Sequence, residues 1–135
     1  MSMELRTRVP IAADGDVLAA RHWARELATE LGLSRTEVVL VVTAVSEIAR
    51  NIVNYAGSGE MSLGAARDGE KIGVMVIARD QGPGIPDMAR AMQDGYSTGG
   101  GLGMGLPGAR RLMDDFEVRS DVGKGTTVKM TKWVR

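Results

Sequence analysis

The chain has 135 residues, of which 44% are apolar and 25% charged, with 17 basic and 17 acidic residues and a formal net charge of zero. That length and composition suit one soluble domain spanning residues 1–135, and the charge balance gives no electrostatic reason to expect nucleic acid or a membrane surface as partner. With no cysteine and a single histidine, His22, disulfides, thiol chemistry and His/Cys metal sites are excluded, and no stretch reads as a signal peptide or a bilayer span, so a cytoplasmic protein is expected.

Leu5 to Val9 alternates charged and apolar residues and reads as a short strand ended by Pro10. Asp14 can cap a helix running to Leu31, with Val17, Leu18, Ala20, Trp23, Ala24, Leu27 and Leu31 on its apolar side and Gly32 as its stop. Trp23 is expected in the core and His22 on the surface. Ser34 and Glu37 match a capping box, and the helix behind them carries Val38, Val41, Val42, Val45, Ile48 and Ile52 at helical spacing as far as about Tyr55. Aromatics make up only 4% of the chain, so aliphatic residues and nine methionines must fill the core.

Glu60 to Ala66 and Lys71 to Arg79 read as strands joined by the Asp68-Gly69 hairpin signal. The nearly continuous apolar run from Ile72 to Ala78 suits a central strand. From Asp80 to about Gly101 neither helical nor strand period appears, which in a compact domain suits a functional lid. Leu102 to Met113 can form a third helix, and Phe116–Asp121 and Thr126–Val134 can close the chain as two strands around a turn at Val122–Gly125. The order predicts an α+β, two-layer α/β sandwich: one mixed, largely antiparallel sheet with helices on one face.

Three groups of residues can carry chemistry. Glu47 and Asn51 lie one turn apart on one helix face, with side chains roughly 6 Å apart. They fit a solvent-facing polar stripe, or a proton acceptor beside an oxygen ligand for Mg2+. Asp80-Gln-Gly-Pro-Gly84 stands where the central strand ends. It fits a plain turn, or a carboxylate that accepts from the amino group of a base while Gly82 and Gly84 let the backbone come close. Between Gly95 and Gly108 glycine recurs at about every second position, a density suited to presenting backbone N–H groups to an anion ahead of a helix N-terminus. Gly103-Met-Gly-Leu-Pro-Gly108 matches a dinucleotide fingerprint in letters only, because no strand precedes it and no parallel βαβ unit surrounds it.

Taken in order, these pieces resemble the GHKL family of ATP-binding domains. Glu47-Ile-Ala-Arg-Asn51 resembles its N box, Asp80–Gly84 and Gly99–Gly105 its two glycine boxes, and Gly123-Lys-Gly-Thr126 its closing element. Within the family the stretch from Tyr96 to Asp114 looks most like the RsbT-type stressosome switch kinases, related to the RsbW/SpoIIAB anti-sigma factor kinases. The resemblance implies the Bergerat fold, ATP and Mg2+ as cofactors, Glu47 as catalytic base and Asn51 as Mg2+ ligand. It implies that Asp80, Gly82, Gly84 and Thr126 hold adenine. Gly99, Gly100, Gly101, Leu102, Gly103, Met104 and Gly105 would wrap the triphosphate. The implied substrate is a serine or threonine of a STAS-domain antagonist, with a PP2C-type phosphatase as a further partner. The alternatives are an ATP-binding anti-sigma factor that sequesters a sigma factor, and a nucleotide sensor without catalysis.

Overall fold

In a computed structural model, which describes residues 1–82 and 105–135, five strands form one sheet in the order β1-β2-β3-β5-β4. The strands are β1 (Ser2–Ile11), β2 (Gly59–Asp68), β3 (Lys71–Asp80), β4 (Asp115–Asp121) and β5 (Gly125–Trp133). All four pairings are antiparallel, so the sheet is antiparallel throughout its described strands rather than mixed. Helices α1 (Asp14–Leu31) and α2 (Arg35–Asn51) pack against one face, and the short α3 (Gly105–Leu112) packs on α2. No described helix is long and apolar enough to cross a bilayer.

The side chains that meet the helices alternate along the strands, as a pleated sheet requires. Val9, Ile11, Met61, Leu63, Val74, Val76, Ala78, Val128 and Met130 belong to one core cluster with the buried residues of the helices, α1 covering β1 to β3 and α2 covering β3 and β5. β3 is central and buries both faces over Gly73–Val76. On the outer face small residues let side chains lie flat: Met3 reaches over Gly64, and Trp133 lies against Gly73 with the Lys71 ammonium 5.3 Å from its ring.

Three local expectations are corrected. β1 runs through Pro10 instead of ending there, because β1 is an edge strand and a missing N–H is tolerated where no neighbour needs it. The N-cap of α1 is Ala13, not Asp14; the Asp16 carboxylate accepts from the Ala12 and Ala13 N–H groups at 2.8 and 3.1 Å. Trp23 is not in the core. It is 47% exposed and sits edge-on to His22, while the buried side of α1 is the narrow run Val17, Ala20, Ala24, Leu27 and Ala28. Alanines let α1 approach its neighbours closely, and that approach leaves no room for an indole.

The Ser34 cap of α2 is present, with the Glu37 N–H donating to its hydroxyl at 3.2 Å. Glu37 also joins the other end of the chain. Arg135 donates to Glu37 at 2.8 Å and to Asp114 at 2.6 Å, the Trp133 N–H donates to Asp114 at 2.8 Å, and Lys132 lies 3.6 Å from the same carboxylate. Lys132, only 8% exposed, also donates to the Leu112 carbonyl at the end of α3. This cluster ties the start of α2, the end of α3 and the last strand together.

Candidate functional site

α2 changes character where its polar pair sits. After Asn51 the α-helical pattern gives way to a π-helical turn, Ile52–Ala56, closed by a hydrogen bond from the Gly57 N–H to the Ile52 carbonyl at 2.8 Å. Such widened turns recur at functional sites because they redirect side chains without ending the helix. The Glu47 side chain is 21% exposed, and Arg50 donates to its carboxylate at 3.3 Å. Asn51, the last α-helical residue, is half-buried.

The sheet lays a second set of polar groups beneath that turn. Gly59, Asp80, Thr126 and Ser120 are direct partners across β2, β3, β5 and β4, so they form one row on the helix-covered face. The helix end stands over this row: where a Cβ on Gly59 would be, the Ile52 methyl is 3.0 Å away and Asp80 Cβ 3.1 Å. Asp80 accepts the Gly82 N–H at 3.0 Å, which turns the chain at the strand end. A Cβ on Gly82 would meet Ala56 of the π turn at 2.6 Å, so a glycine is what lets β3 leave the sheet against α2.

Gly125, named in the sequence only as part of its turn and closing motif, has a geometry that bears on the candidate site. Its φ is +115°, and a Cβ there would stand 2.1 Å from the Asp80 carbonyl oxygen. Only glycine lets β5 come this close and set Thr126 beside Asp80. The signal was present in the two glycines before Thr126, but a hairpin turn explains them equally well. Ser120 was also missed; its hydroxyl lies 3.0 Å from the Thr126 hydroxyl and 3.3 Å from the Gly125 carbonyl. No local pattern marks it, since it joins the row only through strand pairing.

The structure therefore brings Asp80, Gly82 and Thr126 together at the sheet end beneath the helix segment that follows Glu47 and Asn51. Gly105 opens α3. Gly84, Gly99, Gly100, Gly101, Leu102, Gly103 and Met104, and with them the expected lid, lie outside the described residues. Among the described residues no three His, Asp or Glu side chains gather as a metal site. Mg2+ in nucleotide sites keeps waters and phosphate oxygens as ligands, so one protein oxygen such as that of Asn51 suits it. The acceptors Asp80 and Thr126, with the close backbone at Gly82 and Gly125, suit a flat ring bearing an amino group.

Comparison with known proteins agrees with this layout. A family model described as histidine kinase-like ATPase domain matches residues 11–132. A serine/threonine-protein kinase, RsbT of Bacillus subtilis, is 48% identical over 127 residues, 94% of this chain and 96% of that one. An anti-sigma F factor of a Thermoanaerobacter species is 36% identical over 121 residues, covering 85% and 83% of the two chains. Among solved structures, the RsbU and RsbW domains of a Mycobacterium tuberculosis protein superpose with a TM-score of 0.60 at 20% identity, over 94% of this chain and 32% of that one. A mycobacterial sensor histidine kinase, MprB, superposes with 0.57 at 15% identity, over 96% and 97%. At those identities the two structures speak for the fold alone.

Proposed function

The chain belongs to the histidine kinase-like ATPase domain family, and on that premise we propose that it is an ATP-dependent protein serine/threonine kinase acting on a STAS-domain antagonist in a bacterial partner-switching pathway. The observation that carries this reading is the 48% identity to a serine/threonine kinase maintained across 94% of this chain and 96% of that one. The gathering of Asp80, Gly82 and Thr126 beneath the end of α2 supports it, because the family resemblance assigns those positions to one nucleotide.

In this reading the base lies at the sheet end, with its amino group donating to Asp80 and Thr126. Asn51 would hold Mg2+ through its amide oxygen, and Glu47, one turn earlier on the same face, would accept the proton of the incoming serine hydroxyl and orient it. Gly84 and the Gly99–Gly105 stretch supply the remaining contacts to base and phosphates. ATP would supply the phosphoryl group and Mg2+ would offset its charge, a transfer that asks little covalent chemistry of the protein. The task left to the protein is positioning and electrostatics.

The test is incubation with Mg2+, ATP and the candidate STAS protein, read by intact mass. One added phosphoryl group on a serine or threonine is expected. A STAS protein that binds the ATP-loaded chain yet stays unmodified would refute the kinase assignment. The second reading, a sequestering anti-sigma factor, is favoured by the 36% identity to an anti-sigma F factor. A pull-down separates the two: a sigma factor recovered means sequestration, while a STAS scaffold or a PP2C-type phosphatase means switching.

A further inference from the structure

We propose that the row Arg35, Val39 and Thr43 on α2 is the docking surface for the protein substrate, holding the surface around its serine through an apolar side chain and a carboxylate. This rests on the reading of Glu47 as the base that meets that serine. It goes further by naming residues outside the nucleotide site that hold the substrate, and the chemistry they select.

The row is continuous with the proposed catalytic pair. Arg35, Val39, Thr43, Glu47 and Asn51 follow one another at four-residue steps along the single helix α2. Residues four apart are neighbours on a helix surface, so the five form one line that winds slowly round it. Arg35 is exposed, and Val39 is 61% exposed. The Thr43 hydroxyl donates to the Val39 carbonyl at 2.8 Å, so its hydrogen is committed to the helix backbone. What these two residues offer a partner is the Val39 isopropyl group and the Thr43 methyl, an apolar step leading to the Glu47 carboxylate.

Neither Arg35 nor Val39 serves the helix that carries it. Valine is a weak helix former that buried positions compensate and an exposed one does not. A cation in the first turn is opposed by the helix dipole, and among the described residues no ion pair offsets Arg35. Two choices against local stability, in line with the residues assigned to transfer, mark a surface kept for a partner. At 1.5 Å of rise per residue, Val39 stands about 12 Å and Arg35 about 18 Å from Glu47 along the axis. A serine seated at Glu47 thus brings an apolar side chain about 12 Å away over Val39, and a carboxylate about 18 Å away to Arg35. A serine hydroxyl is common to most protein surfaces, so contacts remote from the reacting group must do the choosing.

A role limited to the helix predicts lower melting temperatures when the row is changed, with substrate KM untouched. Phosphorylation of the STAS protein by the full chain is followed by intact mass at saturating ATP, over a range of STAS concentrations. Wild type, Val39→Glu, Val39→Ala, Val39→Ile, Arg35→Ala and Leu5→Glu are compared, with melting curves and ATP calorimetry alongside. Val39→Glu is expected to raise KM for the STAS protein about tenfold, with kcat and ATP affinity near wild type. Val39→Ile should keep the wild-type KM. Arg35→Ala should raise KM about threefold at low salt, converge with wild type near about 0.5 M salt, and melt no lower than wild type. Leu5→Glu, at a 43% exposed apolar residue of β1, should leave every parameter unchanged.

A wild-type KM in Val39→Glu or in Arg35→Ala overturns the proposal. A loss confined to kcat, or a parallel loss of ATP affinity, overturns it as well, since either places the row at the nucleotide and not at the substrate. An equal rise of KM in Leu5→Glu does the same, because any added carboxylate would then repel the substrate. If Val39→Glu does not fold, Val39→Ala is judged by the same criteria, with KM expected to rise about threefold. A wild-type chain that binds ATP and the STAS protein but transfers no phosphate overturns the kinase reading itself, a result distinct from these.

Discussion

The Asp80 carboxylate and the Thr126 hydroxyl stand side by side on β3 and β5, although the segment joining the two strands contains α3 and β4. Both are acceptors in the proposed site, but they are unequal. A bond to a charged group contributes about 1.5–3 kcal/mol and one to a neutral group about 0.5–1.5 kcal/mol. Asp80→Asn should therefore weaken ATP about ten- to a hundredfold, and Thr126→Val about three- to tenfold. The asparagine oxygen can still accept the Gly82 N–H, so melting should hardly move. Calorimetry on the two variants checks the order, and equal losses would remove the carboxylate from its leading place.

Glu47→Gln should separate binding from transfer. The side chain keeps its volume, and what it loses with Arg50 is a pair in which Arg50 is 53% exposed, worth a few tenths of a kcal/mol. Stability and ATP affinity should stay near wild type. Phosphorylation of the STAS protein should fall about 10²–10⁴-fold, the usual contribution of a general base. Mass-spectrometric progress curves beside calorimetry decide it. A variant that transfers phosphate at the wild-type rate would take the base role from Glu47.

Local patterns along this chain specify its elements, and strand pairing, which brings distant residues together, leaves no local mark. The Ser34 cap, the Asp68-Gly69 hairpin and the apolar run of β3 are local patterns, and each appears where its pattern placed it. Glu47, Asn51, Asp80 and Thr126 could be nominated as site residues because their motifs follow one another in a specific order. The passage of β1 through Pro10 was not, since nothing local says that a strand will lie at an edge. Trp23 misled because an indole within an amphipathic pattern reads as core, while the helix settles close to its neighbours on alanines. Ser120 and Gly125 matter through the β3-β5-β4 order, and that order is a tertiary fact.

Gly125 and Gly123 offer a matched pair of substitutions. Both have positive φ, +115° and +81°, but an added Cβ at Gly123 meets nothing within 4 Å, while at Gly125 it would strike the Asp80 carbonyl oxygen. Gly123→Ala should cost only the backbone term, about 1–2 kcal/mol, and leave ATP binding intact. Gly125→Ala carries that term plus a shift of β5 away from β3, so its melting temperature should fall further and ATP affinity should drop with it. Melting curves and calorimetry on both variants test the contrast. Gly125→Ala with wild-type affinity would show that the close approach does not place Thr126.

Asp114 predicts how the fold responds to acid. Partial burial pushes its carboxyl up from the ordinary value of 3.8, but the Arg135 bond, the Trp133 N–H and the charges of Lys132 and Arg135 outweigh burial and leave it lowered. A carboxylate whose value is lower in the folded chain than in the unfolded one adds stability above the unfolded value. That contribution fades as pH falls through the folded value. Asp114→Asn should thus lower the melting temperature at pH 7, with a loss of about 1–3 kcal/mol for breaking a partly buried charged cluster. The gap between variant and wild type should narrow below about pH 4, where the unfolded chain's carboxyl takes up its proton while the native one is still ionised, and close as the native carboxyl follows at lower pH. ATP affinity at pH 7 should change little, because the cluster sits at the end of α3 remote from Gly105 and holds the helix ends rather than the nucleotide. Melting curves from pH 3 to pH 8 for both proteins test this, and a gap that stays constant across that range would remove the ionised Asp114 as the source of the stability.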